Sequence, residues 1–191
     1  MSTRIIAGTV RGRRLKTPRG AATRPTSDRV REALFSSLEA ELGSVTGLRF
    51  LDLYAGSGAV GLEACSRGAG VVTCVEQDRR TAALIRDNAR NLGFRAVEVV
   101  TAPVRRVLQV PPQTPYDVVF LDPPYLAPST EVVEDLTALV SQHWLAVAAL
   151  VVAERSVRSE PLPWPTGLAG DRQKRYGETL LWYGHAAAGA N

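Results

Sequence analysis

The four residues Asp122-Pro123-Pro124-Tyr125 bring together a carboxylate, rigid carbonyls and an aromatic ring. They follow Tyr116-Asp117-Val118-Val119-Phe120-Leu121, a β-branched and aromatic run that reads as a buried strand. Two prolines in succession cannot extend it, because each lacks an N–H and fixes φ. The chain is therefore halted at the carboxyl end of a strand, where open α/β sheets hold their ligands. The carboxylate and a carbonyl accept hydrogen bonds, and the ring stacks on planar groups. Such a set suits a flat substrate with an exocyclic NH₂; the plain alternative is a strand-ending turn with no chemistry.

A second motif narrows this. Arg49-Phe50-Leu51-Asp52-Leu53-Tyr54 reads as another buried strand, followed by Ala55-Gly56-Ser57-Gly58-Ala59-Val60-Gly61. Gly56, Gly58 and Gly61 fit the G-x-G-x-x-G dinucleotide fingerprint, and Glu76 ends the next strand. A nicotinamide or flavin enzyme is the first competitor. Asp52 argues against it, since a carboxylate repels a pyrophosphate seated over the loop at the amino end of the helix. S-adenosylmethionine (SAM) instead carries an ammonium and a sulfonium, which a carboxylate attracts. The spacing therefore favours SAM. Asp52 is expected to meet the ammonium, Ser57 and the Gly56/Gly58 backbone the methionine moiety, and Glu76 both ribose hydroxyls.

Charge is concentrated at one end. Residues 1–31 hold nine Lys/Arg (Arg4, Arg11, Arg13, Arg14, Lys16, Arg19, Arg24, Arg29, Arg31) against Asp28 alone, net +8, whereas residues 32–191 hold 14 basic and 18 acidic groups, net −4. A basic arm on a mildly acidic body is the footprint of a polyanion binder; a solvated arginine-rich edge is the bland alternative. The longest apolar run, Trp144 to Ala153, is about half of a membrane helix, so no membrane is expected. The opening Met1-Ser2-Thr3-Arg4-Ile5-Ile6 lacks a signal-peptide core, which predicts a cytoplasmic protein. Cys65 and Cys74 lack metal-ligand spacing and read as buried thiols; His143 and His185 read as isolated, and no metal is expected.

These motifs need elements to hold them. Ile5-Ile6-Ala7-Gly8 and Arg13-Arg14-Leu15-Lys16 form an expected hairpin, and Pro18 to Pro25 a connector. Thr26 or Ser27 caps a helix with Val30, Ala33, Leu34 and Leu38 on its apolar face, leaving Arg29, Arg31 and Glu32 off it. Strands at 49–54, 71–76, 97–101, 116–121 and 148–154 alternate with helices at 58–68, 79–92, 103–109 and 129–142. Alternation of this kind predicts a parallel sheet covered on both faces. Arg172 to Arg175 and Thr179 to Tyr183 suggest a terminal antiparallel pair. The expected division is a basic, polyanion-binding hairpin and connector at 1–25, a SAM-binding domain at 26–184, and a disordered tail at 185–191.

On these residues the chain resembles class I SAM-dependent methyltransferases, an α/β class with a Rossmann-like sheet of seven strands and helices on both faces. More narrowly, it resembles the bacterial family that methylates the N2 amine of guanine 966 in 16S ribosomal RNA. The matching segments are Arg4-Ile-Ile-Ala-Gly8, Arg11-Gly12-Arg13-Arg14-Leu15, Thr23 through Glu32, Asp52-Leu-Tyr-Ala-Gly-Ser-Gly58 and Leu121-Asp-Pro-Pro-Tyr125. The resemblance implies cofactor contacts from Tyr54, Ala55, Gln77 and Ala102 as well. It also implies that Thr26 and Arg29 belong to a segment folding over the cofactor carboxylate. Arg4, Arg11, Arg13, Arg14, Lys16, Arg24 and Arg31 are the expected RNA contacts. Where such enzymes place a polar or acidic residue near the adenine, this chain has Thr101-Ala102-Pro103, so Ala102 offers only backbone groups.

The expected chemistry is methyl transfer to an aryl amine. Asp122 and the Pro123 carbonyl would hold the amine pyramidal and aimed, and Tyr125 would stack on a base splayed from its loop. Two other readings use the same residues. One is a DNA methyltransferase acting on adenine N6 or cytosine N4, against which the chain has no room for a target-recognition domain. The other is a non-catalytic ribosome assembly factor, against which stand the three carboxylates Asp52, Glu76 and Asp122. The expected partner is ribosomal RNA within the assembled small subunit, and the expected state a monomer.

Overall fold

The protein was analysed as a computed structural model, which describes residues 3–18, 27–124 and 127–187. Ser27 starts the first helix, α1 (Asp28–Leu42), its hydroxyl accepting the Val30 amide. Gly43, at φ 75°, ends the helix as only glycine does without strain. Val30, Leu34 and Leu38 are buried as their four-residue spacing requires, and Phe35 joins them.

The chain then alternates through β1 (Arg49–Leu53), α2 (Ala59–Ser66), β2 (Val71–Val75), α3 (Arg79–Asn91), β3 (Val97–Val100), α4 (Val104–Leu108), β4 (Tyr116–Leu121), α5 (Ser129–Ser141) and β5 (Leu145–Ser156). It closes with β6 (Leu168–Tyr176) and β7 (Thr179–Ala186). The seven strands form one sheet in the order β3-β2-β1-β4-β5-β7-β6, with β3 through β5 parallel and β7 antiparallel to both neighbours. This is the Rossmann-like methyltransferase architecture expected. From β1 the order runs one way through β2 and β3 and the other way through β4 and β5. The carboxyl ends of β1 and β4 thus form the topological switch point, the place where such sheets bind ligands.

Alternate strand residues divide the core. Phe50, Val72, Cys74, Val118, Phe120, Leu150 and Val152 meet Leu34, Val60, Ala64 and Ile85 of α1, α2 and α3. Leu51, Leu53, Val119, Leu121, Val151 and Ala153 meet Val104, Leu108, Leu136 and Leu139 of α4 and α5.

The amino-terminal segment forms the expected hairpin, with Arg4 bridged to Arg14 and backbone bonds from Ile5 to Arg13 and Leu15 to Thr3. Its side chains make it part of the core. Ile5 and Leu15 pack on Ala59, Leu62 and Ala89. Glu63, fully buried, accepts the amides of Ile6 at 2.7 Å and Ala7 at 2.9 Å. Gly8 has φ 81°, and a Cβ there would lie 1.9 Å from the Ser66 carbonyl oxygen. No other residue type can pass.

Three expectations are corrected. Arg31 was placed off the apolar face as an RNA contact, but it is 0% exposed. Its Nη2 donates to the Arg4 carbonyl at 2.6 Å and to Asp28 at 2.8 Å, so the hairpin covers it. The strand expected at 148–154 begins at Leu145, because Tyr116 pairs with Leu145 across an irregular register that Ala148 absorbs at φ 57°. The disordered tail expected from His185 is wrong for its first residues: His185 and Ala186 belong to β7, held between β5 and β6. Residues 188–191 lie outside the described residues. No helix among the described residues is long and apolar enough to cross a membrane.

Candidate active site

The loop from Tyr54 to Gly58 leaves β1 at the switch point. Tyr54, Gly56 and Gly58 all have positive φ, at 61°, 53° and 74°. Gly58 caps α2 in the left-handed conformation, and a Cβ there would lie 2.7 Å from Ile85 Cγ2. Gly56 does the opposite: a Cβ on it would meet nothing closer than the Tyr54 carbonyl at 3.9 Å. The loop is therefore tight beneath Gly58 and open above Gly56, which leaves room for a ligand against the backbone.

Glu76, just past β2, reaches across to this loop. Its Oε2 accepts the Gly56 amide at 2.9 Å and its Oε1 the Asp78 amide at 2.8 Å. A carboxylate has about four acceptor sites, so two bonds leave capacity for hydroxyl donors. Gln77 beside it is exposed. Past β3, Ala102 is half-buried, and Arg86 fastens α3 to this stretch by donating to the Val99 carbonyl and the Thr101 hydroxyl, each at 2.7 Å.

Asp52 lies deeper than expected. It is 1% exposed, and its Oδ2 accepts the Gly61 amide at 2.8 Å inside the first turn of α2. Burial pushes its carboxyl up to about 7, the Gly61 bond opposes this, and the nearby Glu76 charge adds to it. Direct contact with a ligand ammonium is thus closed here. Asp52 lies beneath the loop and holds α2 through the Gly61 amide.

Sequence reasoning missed the partner of Tyr54. Its hydroxyl donates to Asp135 Oδ2 at 2.5 Å, tying the loop to α5. Burial and this bond raise the Tyr54 hydroxyl well above the ordinary phenol value, while burial raises the Asp135 carboxyl. Asp135 falls in register with Val132, Leu136 and Leu139 on the buried face of α5, and a carboxylate at such a position is the available signal.

On the neighbouring strand, Asp122 follows β4 directly, its amide donating to the Leu53 carbonyl at 3.3 Å. Pro123 is buried and Pro124 exposed, and the Pro124 carbonyl accepts the Ala127 amide at 2.7 Å. The Gly-rich loop and the Asp-Pro-Pro segment thus leave strands paired at Leu53 and Leu121. Tyr125 lies outside the described residues, as do Thr26 and Arg24. Arg29 is exposed on the first turn of α1.

The comparisons with known proteins fit this geometry. Residues 3–185 match the family described as conserved hypothetical protein 95. The chain belongs to this family. Ribosomal RNA small subunit methyltransferase D of Escherichia coli (strain K12) is 37% identical over 175 residues, which cover 92% of this chain and 85% of that protein. The solved yhhF structure of Escherichia coli superposes with a TM-score of 0.86 at 33% identity, covering 97% of this chain and 98% of its own. At the level of fold alone, the solved SMU.776 structure, complexed with SAH, has a TM-score of 0.63 at 17% identity, over 83% of this chain and 48% of that one.

Of the basic residues expected to contact RNA, Arg4, Arg11, Arg13, Arg14 and Lys16 are exposed. Arg4 pairs with Asp28, and Arg13 donates to the Asn91 carbonyl of α3 at 3.3 Å. His185 is not isolated. Its ring lies between Glu41 and Asp171, one nitrogen toward each, while Arg172 also donates to Glu41. This network joins α1 to β6 and β7, and the guanidinium within it opposes a divalent cation.

Proposed function

We propose that this protein transfers a methyl group from SAM to the N2 amine of a guanine in 16S ribosomal RNA, the position corresponding to guanine 966. One observation carries the reading: the open, glutamate-clipped Gly-rich loop and the Asp122-Pro123-Pro124 segment leave hydrogen-bonded neighbouring strands at the switch point. Membership of the family supports it, as does the relative named for small-subunit ribosomal RNA methylation.

The residues fit the cofactor. Open backbone at Gly56 suits a ligand lying along the loop, and Glu76 keeps acceptor capacity for ribose hydroxyls. Ser57 and Gly58 complete the loop, with Tyr54, Ala55, Gln77 and Ala102 around it and Arg29 on the side of α1; Thr26 is a further expected contact. When bound, SAM supplies an electrophilic methyl on a sulfonium. The protein's part is orientation. The Asp122 carboxylate and Pro123 carbonyl accept the two N–H bonds of the guanine amine, drawing its lone pair out of the ring plane and toward the methyl. Tyr125 stacks on the extruded base. The hairpin arginines bind the RNA backbone, and the assembled small subunit, met by a monomer of the enzyme, supplies the acceptor.

The test is incubation with labelled SAM and, separately, naked 16S RNA, small subunits and DNA. Label in RNA or subunits, recovered as N2-methylguanine, is the expected result. Label only in DNA would overturn the reading.

A further inference from the structure

Arg155 stands at the carboxyl end of β5, on the face that carries Val151 and Ala153 into the α4–α5 core. It is only 7% exposed. Its Nη1 donates to the Ala127 carbonyl and its Nη2 to the Ser129 hydroxyl, both at 3.1 Å. Its Nε has no partner among the described residues. Burial lowers the guanidinium below the ordinary arginine range, and among the described residues no carboxylate offsets it. A buried cation held by two neutral oxygens is expensive, and an apolar side chain of similar length would cost less. Packing therefore does not explain it.

What it grips does. Ala127 and Ser129 flank the far stem of the segment that begins at Asp122. Arg155 fixes the Ala127 carbonyl, while the Ala127 amide fixes the Pro124 carbonyl at 2.7 Å. At the near stem, Asp122 is fixed to Leu53. The helix that follows starts from Pro128, which offers no side-chain cap, and Arg155 secures the entry to α5 through the Ser129 hydroxyl.

We propose that Arg155 is a positioning residue for methyl transfer: by tethering Ala127 and Ser129 it sets the path of the Asp122-Pro123-Pro124 segment, and so the direction in which the acceptor amine is held. The inference rests on the methyltransferase reading above. A displacement of about 1 Å at a reacting group can cost 10²-fold in rate, which is the scale at stake.

The experiment compares full-length wild type, Arg155→Met, Arg155→Lys, Ser129→Ala and the double variant Arg155→Met/Ser129→Ala. Calorimetry with S-adenosylhomocysteine, thermal melting and single-turnover methylation of saturating small subunits are measured for each. Arg155→Met should bind S-adenosylhomocysteine within about twofold of wild type yet transfer methyl roughly 10–10²-fold more slowly. Arg155→Lys, able to reach one of the two oxygens, should recover part of the rate. Ser129→Ala combined with Arg155→Met should be no slower than Arg155→Met alone, since both remove one shared bond. An Arg155→Met protein as fast as wild type would overturn the proposal, as would a rate loss matched by an equal loss of cofactor affinity. If Arg155→Met does not fold, Ser129→Ala decides: a slower rate at unchanged melting temperature supports the role, and an unchanged rate overturns it. A wild-type protein that methylates no RNA would instead refute the function itself, and that control comes first.

Discussion

Glu76 and Gly56, 20 residues apart in sequence, meet through a 2.9 Å hydrogen bond from the glycine amide to the carboxylate. The bond holds the Gly-rich loop against the end of β2 and leaves the same carboxylate facing the expected ribose position. Glu76→Ala should weaken SAM binding by roughly 1.5–3 kcal/mol, the range for losing hydrogen bonds to a charged group. Glu76→Gln keeps an acceptor for Gly56 and should lose less. Calorimetry with SAM, and with NAD as the control ligand, measures both.

The hairpin should separate stability from RNA affinity. Asn88, buried on α3, accepts the Lys16 amide at 3.0 Å and donates to the Lys16 carbonyl at 2.9 Å. Asn88→Ala and Glu63→Ala leave the part-buried amides of Lys16, Ile6 and Ala7 without their side-chain acceptors, at a cost of up to about 1–3 kcal/mol per group. Both should lower the melting temperature, as should deletion of residues 1–20, which uncovers Leu62 and Ala89. Charge reversal at the exposed Arg11, Arg13 and Arg14 should leave melting unchanged but weaken RNA binding and flatten its salt dependence. Normal RNA affinity in the triple reversal would remove the hairpin from the interface.

The buried Asp52 carboxyl, near 7 when folded against an ordinary value of 3.8, predicts a pH dependence. The folded state holds this proton more tightly than the unfolded chain. Its contribution to stability is therefore fully present below pH 3.8 and is lost as pH rises through about 7. A cationic ligand favours the ionised form, so SAM affinity should rise with pH up to about 7 and then level off. Asp52→Asn can still accept the Gly61 amide. It should flatten the SAM profile and raise the melting temperature at pH 8 relative to wild type. Affinities and melts from pH 6 to 8 check both signs.

The alternating strands and the two motifs were legible because their signals are local: a buried run, then residues that cannot extend it. Helix α3 and strand β4 follow their sequence patterns closely for the same reason. Arg31 was misread because its arginine type outweighed its position, three residues before Leu34, on a face that the hairpin covers only after folding. Glu63, Asn88 and Arg155 were invisible for a related reason. Each polar side chain finds its partner across the fold, and a sequence shows the residue without the group that satisfies it. The burial of Asp52, expected to meet an ammonium, was not legible, since its bond to Gly61 depends on how α2 returns over β1.

The central claim is that Asp122 faces the acceptor amine. The direct measurement is single-turnover methyl transfer by Asp122→Ala at saturating SAM and small subunits. Cofactor affinity should stay within about twofold of wild type, while the rate falls by roughly 10²–10³-fold, the scale for losing one oriented electrostatic partner. An Asp122→Ala enzyme with the wild-type rate would show that the amine is held elsewhere and contradict the account.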